Sequence, residues 1–254
     1  MKLKCLCCEA LTRLAYLGAA LSPHTVDVEL FKIGLHNQPL TLRQRLQAQI
    51  DATSGQGYDA ITLAYGLCGQ ATAGLVAREI PLVIPRAHDC ITLFLGSRSR
   101  YQAQFEQNPG TYWYAQDYIQ RRDNTSTSLS LGAGVDNDRL QERYQEFVEK
   151  FGEDNAQYLM EVMGAWQSHY NRAVYIDMGV GDGAAVEALA RDEAQRRGWA
   201  FERVAGDYTL IRRLLAGEWD DDFLVVAPGQ QITMAYDDGV VACRKHEVQQ
   251  GGVP

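Results

Sequence analysis

No stretch of the chain approaches the roughly 20 consecutive apolar residues that a membrane-crossing helix requires. A basic surplus is missing too, since 24 lysines and arginines stand against 32 aspartates and glutamates, for a formal net charge of -8. Nucleic acid and anionic membranes both select a basic face, so neither is expected as a partner. The N-terminal MKLKCLCCEALTRL holds only a short apolar stretch, interrupted by Glu9 and Arg13, with no long apolar core or small-residue cleavage site. A cytoplasmic protein is the expectation. Cysteine is too sparse for a disulfide scaffold: Cys5, Cys7, Cys8, Cys68, Cys90 and Cys243 are scattered, and a reducing compartment keeps them as thiols. No CxxC pair faces another, so the spacing is not that of a zinc finger.

What the 254 residues do hold is enough apolar material, 46%, to bury a sizeable core in one large domain or two small ones. LKCLC reads as a short strand running into a helix of about ten residues from Glu9, with Leu11, Leu14 and Leu17 near helical spacing. TVDVELF alternates as a strand. Past Pro39, Leu42, Leu46 and Ile50 form an i, i+4, i+8 stripe. YDAITLAYGLCG is then a strand with a glycine-rich turn, AGLVAREI a short helix and PLVIPR another strand. Strands alternating with helices in this way imply βαβ units and a parallel sheet. The grammar recurs downstream: AVYIDMG (strand), AAVEALARDEAQRRG (helix), WAFERV (strand), YTLIRRLLAG (helix), DDFLVVAPGQ (strand and turn), and a final hairpin or return segment from QITMAY to CRKHE.

Between these halves, GTYWYAQDYIQ reads as extended or irregular and NTSTSLSLGAGVDND as a loop. Two helical stripes follow, Leu140, Tyr144, Phe147, Phe151 and then Leu159, Val162, Met163, Trp166, Tyr170, both most simply core-facing. The expected fold is therefore α/β, with two pseudo-repeated, parallel-sheet, Rossmann-like lobes and a helical insertion. The first lobe spans residues 1–108 and carries a Cys/His site, the aromatic loop and helices span 109–171, and the second lobe and return segment span 172–254.

In open α/β sheets ligands sit beyond the carboxyl ends of the strands, so a cleft between lobes is the expected location. Cys8, Cys68 and the run Arg86 to Cys90 all fall at such ends. Convergence of Cys8, Cys68 and Cys90 with His88 makes a Cys3His set suited to Zn2+. Three thiolates with an open position equally suit an iron–sulfur cluster. The plain alternative is that Cys8 and Cys68 are small buried residues at tight turns. Cys5 and Cys7 share a strand face and read as core.

Around that edge, Tyr65 and Gly66 open a turn whose glycines let the backbone approach a ligand, with the next helix N-terminus available to an anion. Arg86 is the anion contact, with Ser97 and Arg98 as a second, and Asp89 is read as an N-cap. His36, after the second strand, is a ligand or proton carrier. Asp177 and Asp207 are expected to reach into the cleft from the second lobe. Gly179 to Gly183 resembles the glycine-rich first motif of S-adenosylmethionine-dependent methyltransferases, though the roughly 75 residues that follow are too few for that fold's usual sheet.

With YGLCG at 65–69, PRAHDCITLFLGSR at 85–98, PGTYWY at 109–114 and LVVAPGQ at 224–230, the chain resembles a prokaryotic family known only as a domain of unknown function. CEAL at 8–11 is similar to that family's N-terminal cysteine block, which favours Cys8 over Cys5 and Cys7. Members are often encoded near corrinoid-dependent methyltransferases, so the resemblance implies methyl-group or corrinoid metabolism and a corrinoid methyltransferase system protein as partner. The expected function is a metal- or iron–sulfur-binding protein holding a small anionic metabolite, with His88 and Arg86 as the reacting groups if it is an enzyme. The alternatives are a non-catalytic accessory protein that delivers a cofactor, and a metal-free enzyme using a cysteine nucleophile with His88 as base.

Overall fold

In chain order the elements are β1 (Lys2–Cys8), a 3-10 turn (Glu9–Leu11), α1 (Thr12–Leu21), β2 (Thr25–Phe31), a second 3-10 turn (Ile33–Asn37), α2 (Pro39–Thr53), β3 (Ala60–Ala64) and β4 (Leu82–Pro85). There follow α3 (Cys90–Leu95), α4 (Arg98–Gln107), β5 (Thr111–Ala115), α5 (Gln116–Gln120), β6 (Arg172–Asp177) and α6 (Ala184–Arg197). The last are β7 (Ala200–Ala205), α7 (Thr209–Leu215), β8 (Phe223–Val226), β9 (Gln230–Met234) and β10 (Val241–Lys245). This computed structural model describes residues 1–121, 148–149, 152–153, 170–235 and 239–246. The two helices expected between residues 140 and 170, and the Ser/Thr/Gly-rich loop before them, lie outside the described residues except for Val148, Glu149, Gly152, Glu153 and Tyr170.

The main sheet has five strands in the order β2-β1-β3-β4-β8. Its first four are parallel, and β8 closes the edge antiparallel to β4, Phe223 opposite Pro85 and Val226 opposite Leu82. β3 and β4 are buried along their whole length, which is why AITLA and LVIP are unbroken apolar runs. β2, at the other edge, alternates in exposure as its period-two sequence requires. The α2 stripe does what its spacing predicts: Leu42, Leu46 and Ile50 are fully buried. β5, β6 and β7 form a separate three-stranded parallel sheet. Trp113, Val174 and Ile176 of that sheet join the same apolar core as β1, β3 and β4, while Tyr114, Tyr175, Val186 and Ala190 make a small second cluster on its other face.

Three expectations change. AGLVAREI is not a helix; Gly74 sits at φ 94°, and the segment runs extended beside β9. The Gly74 amide donates to the Ile232 carbonyl and the Ala77 amide to Gln230, while Ile232 donates back to Leu75. GTYWYAQDYIQ, expected to be extended or irregular, is extended over β5, where it has a parallel partner in β6, and helical over α5. Strand β8, read as part of a second lobe, lies in the first sheet. The protein is therefore mixed α/β with two parallel-containing sheets that share a core.

Candidate functional site

The chain order reverses beside β1: β2 lies on one side and β3 on the other. Such a switch point leaves a crevice at the carboxyl ends, and four connections enter it here. β1 ends at Cys8, β2 leads to His36, β3 to Tyr65–Cys68, and β4 to Arg86–Cys90.

Cys8 Sγ lies 3.2 Å from His36 Nε2 and also accepts, at 3.5 Å, from the Ala10 amide. The His36 ring stacks on Tyr65, ring centres 6.0 Å apart. Tyr65 is 1% exposed, and its hydroxyl has no hydrogen-bond partner among the described residues. The two long connections are laced together, Leu67 N donating to Ala87 O at 2.8 Å and Cys68 N to His88 O at 2.9 Å. Gly66 permits this lacing, because a Cβ there would stand 2.7 Å from Asp89 N and 2.9 Å from Ala87 O. Its missing side chain makes room for backbone rather than for a ligand. Cys68 and Gln70 hold φ of 48° and 71°, a left-handed conformation that L-residues adopt at a cost of about 1 kcal/mol each. No helix N-terminus follows this turn, contrary to the anion contact expected there.

Burial governs the electrostatics. It pushes the Cys8 thiol up to about 12 and drives His36 down to about 4. Burial raises Cys68 and Cys90 as well, and so do their neighbours: Cys8 and Asp89 act on Cys68, and Cys68 and Cys8 on Cys90. At neutral pH the Cys8–His36 pair is a thiol hydrogen-bonded to a neutral imidazole, a donor set that becomes anionic only when something replaces the thiol proton. Among the described residues no group of three or more His, Cys, Asp and Glu side chains is already arranged to hold a metal ion. Cys5 and Cys7 are fully buried core, and burial raises Cys7 strongly.

Beside this cluster is an open cleft of about 740 Å³. Arg86, His88, Thr92, Ser97, Arg98 and Tyr101 line it, together with Glu106, Asp222 and Val240. His88 is exposed to this cleft, so the imidazole that meets Cys8 is that of His36. Arg86 Nη1 donates to the carbonyls of Gly239 and Val241, which ties the β9–β10 hairpin to the end of β4. Arg98 pairs with Asp222 at 3.4 Å. Asp89 caps α3 as expected, its Oδ1 accepting from Ile91 and Thr92, and Ser97 caps α4 through the Arg100 amide. Tyr101 is pushed up to about 12 by burial, then by Asp89 and Cys90.

Asp177 and Asp207 are occupied elsewhere. Asp177 binds Arg203 at 2.5 Å and the Gly179 amide, and Asp207 accepts from Thr209 N at 2.8 Å where α7 begins. In the glycine-rich stretch, a Cβ on Gly183 would coincide with the Tyr175 hydroxyl, 1.7 Å away, and Asp182 takes the Ala184 amide. Thr92 and Tyr101 were not legible as cleft residues: both sit inside helices whose apolar spacing carries no mark of a ligand.

Fold and site together define a mixed α/β protein with a part-buried thiol–imidazole group at its switch point and an open polar cleft beside it. A family model described as "Protein of unknown function (DUF1638)" matches residues 30–215, and the chain belongs to that family. The matched span takes in His36, Cys68, His88 and Cys90, and leaves Cys8 on its N-terminal side. No curated protein and no solved structure matches the chain. No helix among the described residues is long and apolar enough to cross a membrane.

Proposed function

We propose that this protein binds a thiophilic metal at the switch point, Zn2+ or the iron of an iron–sulfur cluster, and holds a small anionic metabolite in the adjoining cleft. The Cys8–His36 pair, 3.2 Å apart in a part-buried site, carries the reading. Cys68 and Cys90 are the further thiolates, turning onto that pair when the metal displaces their protons. Cys68 is supplied from a strained left-handed turn, the kind of backbone that persists where a site demands it. His88, with Arg86, serves the anion instead. Raised thiols argue against the metal-free reading, because a buried cysteine with an elevated pKa is a poor nucleophile. In this proposal the metal centre belongs to methyl-group or corrinoid metabolism, as an enzyme or as an accessory protein of a corrinoid methyltransferase. The genomic neighbourhood implied by the family resemblance supports that part.

Anaerobically purified protein tests the metal. About one equivalent of zinc without colour identifies a thiolate–imidazole site, and a broad band at about 400 nm identifies a cluster. Protein that retains and takes up neither overturns the reading. Cys8→Ser is expected to cut the bound metal to below about a tenth of an equivalent, since a serine hydroxyl does not replace a thiolate on a soft ion. Cys243→Ser is the control, because that thiol instead meets Gln230 Oε1, at 3.4 Å.

A further inference from the structure

We infer that Tyr65 is a positioning residue of the switch-point site, its hydroxyl donating a hydrogen bond to the Cys8 sulfur once that sulfur is a metal-bound thiolate. The inference rests on the metal-binding part of the proposed function and adds a residue outside its ligand set. Tyr65 is 1% exposed, yet its hydroxyl has no hydrogen-bond partner among the described residues. A buried hydroxyl left unpaired is costly, and native proteins keep few of them. Phenylalanine would fill the same space without that cost, so packing alone does not account for the oxygen.

The backbone register sets Tyr65 beside Cys8. Strands β1 and β3 run parallel, with Leu6 opposite Leu63 and Cys7 opposite Ala64. One step further along both strands brings Cys8 abreast of Tyr65, and residues in register on parallel strands turn their side chains to the same face. His36 closes the third side: its Nε2 lies 3.2 Å from Cys8 Sγ, and its ring stacks on the Tyr65 ring with 23° between the planes. One imidazole thus touches both residues.

The state of the sulfur decides what it needs. As a thiol, Cys8 is satisfied by His36 and by the Ala10 amide at 3.5 Å. A metal that takes His36 Nε2 ends the bond between ring and sulfur, and the thiol proton leaves to solvent as the metal–sulfur bond forms. What remains is a thiolate where burial disfavours one. The Ala10 amide gives it one donor, and the Tyr65 hydroxyl has a proton to share and no acceptor for it. Burial, then Cys8, holds that hydroxyl well above its usual range, so it donates without ionising. Such donors to metal ligands fix their orientation and strengthen the site.

Titration of the full chain with Co2+, wild type against Tyr65→Phe, tests this. Phenylalanine keeps the ring that stacks on His36 and removes only the oxygen. Both proteins are expected to bind about one equivalent of Co2+, the variant about tenfold more weakly in competition with a chelator. The variant's thiolate-to-cobalt charge-transfer band is expected at longer wavelength, because a sulfur without the hydrogen bond holds its electrons less tightly. Its metal-free form melts at the wild-type temperature or higher. An equal affinity overturns the inference, and so does a weaker affinity with the band unmoved, which is a packing effect. A metal-free variant that melts lower also overturns it, since the hydroxyl then has a partner inside the fold. Wild type that takes up no Co2+ overturns the metal reading and this inference together, whereas uptake by both proteins with equal affinity overturns the role of Tyr65 alone.

Discussion

Gly66→Ala is expected to destabilise the protein by about 3 kcal/mol, enough to leave a marginal domain partly unfolded. The added methyl meets backbone on every side: Asp89 N at 2.7 Å, Asp89 Cα at 2.8 Å and Ala87 O at 2.9 Å. No rotamer relieves that, because none of the three atoms belongs to a side chain. The connections after β3 and β4 must move apart, and the bonds from Leu67 N to Ala87 O and from Cys68 N to His88 O stretch with them. Gly69→Ala makes the comparison. Its Cβ meets nothing within 4 Å, and it pays only for φ 61°, about 1 kcal/mol. Urea unfolding of both variants checks the pair. Equal losses would mean that backbone conformation, and not the close approach of the two connections, is what Gly66 provides.

The second large effect is acid lability of the metal-free protein through His36. Its folded value of about 4 lies below the 6.5 of an unfolded imidazole. Between those values the unfolded chain takes up a proton that the folded one refuses, so stability falls as pH drops from about 6.5 toward 4 and is complete above 6.5. A shift of that size corresponds to about 3 kcal/mol across the window. The groups facing His36 do not compete there: the Cys8 thiol and the Tyr65 hydroxyl are both raised and stay neutral. Asp89, raised by burial, works in the opposite sense, but it is common to both proteins when wild type is set against His36→Gln. The variant is expected to lose most of the slope between pH 6.5 and 4 in denaturant midpoints. An identical slope in both would place the acid sensitivity elsewhere.

Local patterning carried much of the first half of the fold. TVDVELF alternates and is β2, the Leu42, Leu46, Ile50 stripe is the buried face of α2, and the apolar runs that end at Ala64 and Pro85 are strands buried on both faces. Where partners are distant in sequence, local pattern failed. The residues from Ala73 to Ile80 have an acceptable helical spacing, yet hydrogen bonds to β9, more than 150 positions on, hold them extended. TYWYA reads as extended or irregular alike until paired with β6, and nothing in FLVV says that it runs antiparallel beside β4. The same division holds for the site. Cys8, Cys68 and Cys90 could be located at strand ends from spacing, but which histidine turns inward depends on the 3-10 turn at Ile33–Asn37 and not on any period.

The antiparallel strand at the sheet edge has a consequence for the boundary of the folding unit. The family match stops at residue 215, while β8, at Phe223–Val226, is what satisfies the outer hydrogen-bonding groups of β4. A bare β4 would present a flat, wholly apolar strand, the sort of edge on which a second molecule can zip itself. Four residues beyond the family's matched span therefore cover that edge, and Arg86 clasps the hairpin that follows them.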